Sequence, residues 1–395
     1  MTTTPPLSPQ RFERVEAHVR ALVESGALPH AQWLAARDGE VLHRFTMGRA
    51  RADGTPLRED AVFRIASMTK AVTAFLFLML WEEGRVGLHD PLTSVLPELA
   101  DLRVYDGGKF APFATRAATR QPVMLDLLLH TAGFSHGFQQ NHPVDQAYWT
   151  AGVDNFKAVK TADGIVAALA GLPLLHDPGT AFTYSIATDL IGIIIERLTG
   201  RPLDQLFAER IFRPLGMTDT GLVLRDDQAD RFTDAWAEHP RRGHYVYDTA
   251  LDGLWSRPLT FASGGGGLLS TTADYHRFCR MLLGEGALDG VRLLKPETMA
   301  MMVRNHLPDG QSIGAMAQGM FAGDSCRAIG QGLGIAVTLP GGQGARPAGE
   351  MHWTGLFSTF YSVVPSERLI LIFMTQLLPL KQDDLPDALY RILMG

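Results

Sequence analysis

The sequence predicts an α/β fold whose sheet is built from both ends of the chain, with a helical domain inserted between them. Strand-like apolar runs and helices that would cover them occur near both termini, whereas helical patterns separated by Pro- and Gly-containing loops fill the middle. The length of 395 residues also exceeds that of one ordinary domain. We therefore expect residues 1–84 and 225–395 to form one discontinuous α/β domain and residues 85–224 to form the helical domain.

The N-terminal part predicts a helix, a hairpin and a second, longer helix. Residues 8–26 begin with a Ser-Pro pair, continue with apolar residues at helical spacing and end on a glycine. Residues 31–47 indicate a β-hairpin that turns at Asp38-Gly39. Residues 63–83 predict a helix that is apolar nearly all round, so we expect it to be buried in the centre of the molecule.

The remaining elements follow from the same two periodicities. Helices are predicted in the middle and near the C-terminus at residues 124–129, 163–170, 187–198, 271–283 and 385–393. Two short runs rich in aromatic and branched residues, 357–364 and 369–375, predict adjacent strands joined by a turn at residues 365–367. The C-terminal strands and helix therefore complete the domain that the N-terminal hairpin begins.

Composition and charge exclude several classes of function. The formal net charge is −6, and no Lys/Arg-rich run indicates a nucleic-acid partner. No apolar stretch reaches the ~20 residues that span a membrane, and the N-terminus lacks the basic and apolar regions of a secretory signal. The two cysteines, Cys279 and Cys326, are too few for a disulfide framework and fit a reducing compartment. We expect a cytoplasmic protein without a membrane or nucleic-acid partner.

The tetrapeptide SMTK at residues 67–70 is the first candidate for chemistry. Residues three apart on a helix share a face, so the Lys70 amine can reach the Ser67 hydroxyl. Serine is a weak nucleophile until a base takes its proton, and an amine among apolar residues, such as those at 71–75, can serve as that base. Ser67 near a helix start also offers its N–H to a developing oxyanion. The motif predicts a serine nucleophile, although an isolated S-x-x-K also occurs on ordinary helix faces.

Five ordered segments make the reading more specific. They are SMTK at 67–70, LLLHTAG at 127–133, PGTAFTYS at 178–185, FRPLGM at 212–217 and GGGLLST at 265–271. With these segments the chain resembles the serine β-lactamase and penicillin-binding-protein superfamily, especially class C β-lactamases and family VIII carboxylesterases. The resemblance implies a β-lactamase/transpeptidase-like α/β (α+β) fold, with an antiparallel sheet flanked by helices, an inserted all-helical domain, and an active site at the interface of the two domains.

The resemblance also implies roles for individual residues. Tyr184 matches the tyrosine of the family's Y-x-N motif and would pass the proton between Ser67, Lys70 and the leaving group. Whether Lys70 or Tyr184 is the formal base stays open. The backbone N–H of Leu356 would join that of Ser67 in an oxyanion hole. No cofactor and no metal are expected.

Two departures from the family pattern change the expected substrate. The third residue of Y-x-N is Ile186, and the family's K-T-G reads Trp353-Thr354-Gly355, which is similar to the W-x-G of family VIII esterases. The cation that faces a β-lactam carboxylate is thus replaced, and burying a carboxylate without a partner is costly. We expect these four residues and Phe134 to line a substrate site that favours neutral esters.

The sequence therefore predicts a serine carboxylesterase that acts on a small-molecule ester through a Ser67 acyl-enzyme, with weak β-lactam hydrolysis as a side activity. The alternatives are an acyltransferase of the same fold, a β-lactamase or D-aminopeptidase, and a non-enzymatic penicillin-recognition module. The natural ester and the oligomeric state, monomer or small homo-oligomer, stay open.

A second serine competes for the role of nucleophile. Residues 133–137 read GFSHG, which matches the G-x-S-x-G of α/β-hydrolases, but that motif works only on a strand-to-helix turn. Here a helix is predicted before Ser135 and a loop after it, so we do not expect Ser135 to be the nucleophile. His130, His136 and His142 also suggest a zinc site, but their six-residue spacing places no two on one helix face.

Overall fold

The structure is a computed structural model that describes residues 7–154, 161–239, 241, 243–257, 260–341, 346–379 and 385–394. Residues 1–6, on which the expectation about a secretory signal partly rests, lie outside the described residues. No described helix combines the length and the hydropathy needed to cross a membrane.

From residue 124 to residue 215 the described residues contain helices in unbroken succession, with strands before and after them. The helices are α1 (Pro9–Glu24), α2 (Thr69–Glu82), α3 (Met124–Leu128), α4 (Pro143–Thr150), α5 (Ala162–Ala170), α6 (Ala187–Thr199), α7 (Leu203–Phe207), α8 (Arg213–Leu215), α9 (Thr272–Leu283), α10 (Pro296–Met302), α11 (Ile313–Met316) and α12 (Leu385–Met394). The strands are β1 (His30–Arg37), β2 (Glu40–Gly48), β3 (Phe63–Arg64), β4 (Arg103–Gly107), β5 (Ala114–Ala117), β6 (Ala235–His239), β7 (Gly243–Asp248), β8 (Leu269–Ser270), β9 (Ala287–Leu288), β10 (Val291–Arg292), β11 (Ile329–Gln331), β12 (Ala336–Thr338), β13 (Met351–Thr354), β14 (Phe360–Val364), β15 (Leu369–Met374) and β16 (Leu377–Leu378).

The main sheet joins the two ends of the chain, as predicted. Its seven strands are antiparallel and lie in the order β11-β12-β13-β14-β15-β1-β2. Successive residues of β1 alternate between two cores because side chains point to opposite faces of a strand: Trp33 packs with α1 and α12, and Leu34 with the core around α2. Full burial of such a side chain contributes about 1.5–3 kcal/mol. The boundaries proposed for the two domains stay a prediction.

Helix α1 and the hairpin β1–β2 agree with the sequence prediction. Pro9 lies in the first turn of α1, and the helix buries Phe12, Val15 and Val19 against the sheet and α12. Strand β1 pairs with β2 through a turn at Asp38-Gly39, where both residues have positive φ. Glycine adopts this conformation readily, and aspartate tolerates it better than most residues.

The predicted helix at residues 63–83 is divided into three pieces. Phe63–Arg64 form β3, which pairs with β8, and Ala66–Met68 form a 3₁₀ turn before α2 begins at Thr69. Every residue of α2 from Thr69 to Leu80 is buried, so the predicted central position is correct. The predicted start of the helix was wrong because residues 63–64 form a strand only through their pairing with β8, which is distant in the sequence.

Two further predictions need correction. The inserted region is not purely helical, because β4 and β5 form a two-stranded antiparallel hairpin within it. The strand predicted from residue 357 begins only at Phe360. Ser358, with φ +65°, lies in a turn after β13 whose geometry is not that of a strand.

Candidate active site

Ser67 lies on the 3₁₀ turn directly before α2, and Lys70 lies in the first turn of that helix. Lys70 Nζ is 3.3 Å from Ser67 Oγ. The three-residue spacing places both side chains on one face, as predicted. Ala66, directly before the serine, has φ +44°, an uncommon conformation for a residue other than glycine. Ser67 is partly exposed while Lys70 is buried, so the serine side chain is open to solvent and the lysine side chain is enclosed.

The Lys70 amine makes a second hydrogen bond, to the glycine run at residues 264–267. Lys70 Nζ donates to the carbonyl of Gly265 at 2.6 Å. The buried carboxylate of Asp189 in turn accepts hydrogen bonds from the Gly265 N–H at 3.0 Å and from Ser263 Oγ at 2.6 Å. A Cβ atom on Gly265 would lie 2.4 Å from the Asp189 carboxylate, so a larger residue could not approach so closely. This segment therefore fixes the amine toward Ser67.

Tyr184 reaches the same hydroxyl from the inserted region. Its Oη is 2.8 Å from Ser67 Oγ, and Lys70 Nζ lies 4.8 Å from the centre of its ring. Tyr184 precedes α6, and its carbonyl accepts a hydrogen bond from Gln139 Nε2 at 2.6 Å. The structure thus brings Ser67, Lys70 and Tyr184 together, with the serine hydroxyl in contact with both partners.

Two histidines behind Tyr184 were not predicted as part of the site. The rings of His130 and His136 lie 4.9 and 5.6 Å from the Tyr184 ring. His130 Nδ1 accepts from the Ser185 N–H, and burial together with nearby Lys70 holds the pKa of His130 well below its usual value. Burial therefore favours the neutral form of the His130 ring. A signal was present in the sequence, because His130 belongs to the LLLHTAG segment.

Strand β13 and the turn after it lie against the turn that carries Ser67. The Trp353 ring is 5.5 Å from the Tyr184 ring, and both Trp353 and Thr354 are partly buried. At Gly355 a Cβ would come within 2.4 Å of the Ile65 carbonyl, so only glycine permits this approach. Leu356 packs on a small buried cluster that includes Ala66, the residue before Ser67, and its role in an oxyanion hole stays a prediction.

Two predicted substrate-contacting residues lie behind the site rather than on its surface. Phe134 and Ile186 are 1% and 2% exposed, and both belong to the main hydrophobic core. The Ile186 N–H donates to the Ser135 carbonyl at 3.1 Å. Since their side chains are enclosed in the core, direct contact with substrate does not fit this placement.

The competing serine is enclosed as well. Ser135 is fully buried, and its hydroxyl donates to Asp145 at 2.5 Å. No substrate could reach it in this arrangement. His136 pairs with Asp154 at 2.9 Å, and His142 caps α4. Among the described residues, no group of three or more His, Cys, Asp or Glu side chains could hold a metal ion.

A narrow crevice continues from the site past Lys70, His130 and Trp353 to Gln331. Gln331 donates to the carbonyls of Leu128 and Gly332, while its buried Oε1 has no partner among the described groups. Sequence patterns gave no signal for this residue. A separate cavity of about 480 Å³ is lined by residues of α9, α10 and neighbouring segments and does not include Ser67.

The structure thus combines a cluster of serine, lysine and tyrosine side chains with an antiparallel sheet covered by helices. The family model described as Beta-lactamase matches residues 15–394, and the chain belongs to this family.

Three similar proteins agree with this assignment. Esterase EstB of Burkholderia gladioli is 28% identical over 92% of this chain and 89% of its own length. The acyltransferase mokF of Monascus pilosus is 31% identical over 80% of this chain and 76% of its own length. The solved structure of EstCE1, described as a hydrolase with promiscuous acyltransferase activity, has a TM-score of 0.79 at 21% identity and covers 98% of this chain and 99% of its own. That last likeness supports the fold.

Proposed function

We propose that the protein is a serine carboxylesterase that forms an acyl-enzyme on Ser67. The observation that carries the proposal is the contact of one partly exposed hydroxyl with both Tyr184 Oη and Lys70 Nζ, 2.8 and 3.3 Å away. A nucleophile needs a base within hydrogen-bond reach, and here two candidate groups satisfy that condition. The similarity to esterase EstB supports the choice of an ester as substrate.

The geometry suggests how the reaction proceeds. Ser67 Oγ attacks the ester carbonyl while its proton passes to the Lys70–Tyr184 pair. The backbone N–H groups of Ser67 and Leu356 would stabilise the negative charge on the carbonyl oxygen. The pair then returns the proton to the leaving alcohol, which departs and leaves the acyl group on Ser67. A water molecule, activated by the same pair, releases the carboxylic acid and restores the serine.

Trp353 favours neutral substrates. Its indole lies 5.5 Å from the Tyr184 ring, at the position where the family's K-T-G motif supplies a cation. A substrate carboxylate at this position would lose its hydration without gaining a lysine partner. β-Lactam hydrolysis is therefore expected only as a weak side activity.

Acyl transfer is the second candidate function, because the relative mokF is named an acyltransferase. The two functions share the acyl-enzyme and differ in the acceptor, which is water in one case and an alcohol in the other. Addition of a competing alcohol, with measurement of the new ester, separates them. An excess of the transfer product at low alcohol concentration would favour the transferase.

The decisive experiment compares Ser67→Ala with the wild type on p-nitrophenyl esters and nitrocefin. Ser67→Ala should abolish ester turnover. Ser94→Ala, at an exposed serine in a 3₁₀ turn after α2, is the matched control. Ser135→Ala tests the competing motif and should keep turnover per folded molecule, although it removes a buried hydrogen bond to Asp145. Retained turnover in Ser67→Ala would refute the proposal, and a burst without turnover in the wild type would favour a penicillin-recognition module.

The remaining expectations belong to the same proposal. We propose a small-molecule ester as the partner, without nucleic acid or membrane. A cytoplasmic location is supported by the cysteine content, because two cysteines are too few for a disulfide framework and fit a reducing compartment.

A further inference from the structure

We propose that the alcohol part of the natural ester carries an uncharged aromatic group, which binds to an aromatic wall formed by Phe138, Tyr184, Phe321 and Trp353. The inference rests on the proposed function and names the substrate class of the same site. It goes beyond a general preference for neutral esters, because it assigns one side of the ester and one kind of group.

The wall begins at the nucleophile. Tyr184 Oη is 2.8 Å from Ser67 Oγ, and the Tyr184 ring lies 5.2 Å from Phe321 and 5.5 Å from Trp353. Phe321 and Trp353 are stacked, with ring centres 5.8 Å apart and planes 24° apart. The three rings therefore form one continuous apolar surface that starts within one side-chain length of the reacting oxygen.

The wall is accessible as well as continuous. Phe138, Phe321 and Trp353 are each only partly buried and pack on the cluster that contains Tyr184 and the fully buried Phe182. Phe182 lies 6.2 Å from Phe321 and supports it from the core side. An apolar surface of several aromatic rings that reaches solvent beside a nucleophile is the kind of feature that binds a ligand.

The chemistry of the wall favours an aromatic ligand over an aliphatic one. Aromatic pairs with centres 4.5–7 Å apart gain attraction beyond the burial of their area. The spacing of 5.2–5.8 Å among the present rings shows that this segment already packs in that range. Asp324 and Arg327, the charged residues that follow Phe321, pair with each other at the exposed surface. The two charges are opposite, so this pair adds no net charge beside Phe321.

The position of Tyr184 assigns the wall to the alcohol side of the ester. In the proposed reaction the Lys70–Tyr184 pair returns a proton to the departing alkoxide, so the alcohol oxygen must lie close to Tyr184 Oη. Because Tyr184 is itself part of the wall, the substituent on that oxygen meets Phe321 and Trp353 next. The acyl group, bonded to Ser67, lies on the other side of the carbonyl.

The test uses two matched pairs of esters. Benzyl acetate and cyclohexylmethyl acetate share the acyl group and differ only in the aromaticity of the alcohol. Ethyl phenylacetate and ethyl cyclohexylacetate make the same comparison on the acyl side. We expect the wild type to prefer benzyl acetate in kcat/KM by about 2- to 10-fold, with a smaller preference in the acyl pair.

Phe321→Ala and Phe321→Leu should lower the benzyl-to-cyclohexylmethyl ratio of kcat/KM toward one. Phe321→Tyr keeps an aromatic ring and should retain the wild-type ratio. Phe110→Ala, at a phenylalanine that is 83% exposed and not part of the wall, is the control and should leave the ratio unchanged. Circular dichroism checks that each variant is folded, and Phe321→Leu keeps apolar volume if Phe321→Ala is unstable.

The outcomes separate the two proposals. If the ratio is unchanged in both Phe321→Leu and Phe321→Ala, and Ser67→Ala still abolishes turnover, the aromatic wall is refuted and the proposed function stands. A change confined to the phenylacetate pair overturns the assignment to the alcohol side. Turnover that persists in Ser67→Ala refutes the proposed function itself.

Discussion

Replacement of Tyr184 by phenylalanine isolates the role of one hydroxyl. The hydroxyl contacts Ser67 Oγ at 2.8 Å, while the ring is 6% exposed and packs among His130, Phe321 and Trp353. Phenylalanine preserves this packing. The change therefore removes a proton-transfer group and one hydrogen bond, with little effect on the surrounding core.

The two consequences differ in size. Loss of general acid–base help typically lowers a rate by ~10²–10⁴, equivalent to about 2.7–5.4 kcal/mol in the activation free energy. Loss of one hydrogen bond changes the free energy of unfolding by about 0.5–1.5 kcal/mol. We therefore expect a large fall in kcat/KM together with nearly wild-type stability.

The assay is steady-state hydrolysis of a p-nitrophenyl ester, with stability measured by urea denaturation on the same preparation. Tyr245→Phe, at a tyrosine that is 49% exposed, is the matched control and should change neither quantity. If Tyr184→Phe keeps more than about a tenth of the wild-type kcat/KM, the phenol does not transfer the proton and Lys70 acts alone. If the activity of Tyr184→Phe falls only as much as its folded fraction, the loss comes from unfolding, and a role of the hydroxyl in proton transfer is refuted as well.

Two further predictions concern stability. Arg64 is fully buried and binds Asp248 at 2.5 Å, so Arg64→Met leaves a buried carboxylate without its cation. We expect urea denaturation to show a free energy of unfolding lower by about 3–5 kcal/mol. Arg20→Met, which breaks an exposed ion pair, is the control and should have little effect. An unchanged unfolding midpoint for Arg64→Met would contradict this. Burial lowers the pKa of His30 from 6.5 to about 4, so between these pH values the unfolded chain binds a proton that the folded chain does not. The free energy of unfolding is therefore highest above pH 6.5 and falls by about 3 kcal/mol as the pH decreases toward 4. His30→Asn can still donate to the Arg49 carbonyl and should flatten the stability profile between pH 4 and 6.5; an equally steep profile in the variant would assign the acid sensitivity elsewhere.

The parts of the fold that local patterns encode were predictable. The Ser-Pro start of α1, the Asp-Gly turn of the first hairpin and the spacing of Ser67 and Lys70 each depend on neighbouring residues. The ordered family segments then placed Tyr184 near Ser67, which no spacing argument could do, because 117 residues separate the two.

Features that depend on distant segments were missed. Strand β3 looks helical in sequence, because apolar residues continue from it into α2 and the partner that makes it a strand, β8, lies far along the chain. Phe321 follows a short helix in a segment without a periodic pattern, so nothing local connected it with Trp353. Burial is equally non-local: Phe134 and Ile186 neighbour site residues in sequence, yet the packing of the core encloses both side chains.

The meeting of the two chain ends has a practical consequence. Strands β1 and β15 pair directly, α1 packs on α12, and the Arg11 guanidinium donates to the Leu393 carbonyl at 3.0 Å. A flexible linker that joins the start of α1 to the end of α12, with new ends opened in the exposed turn at Asp53-Gly54, would give a circular permutant that retains every strand of the main sheet. In such a permutant the first and last elements of the present chain would become one continuous stretch of polypeptide.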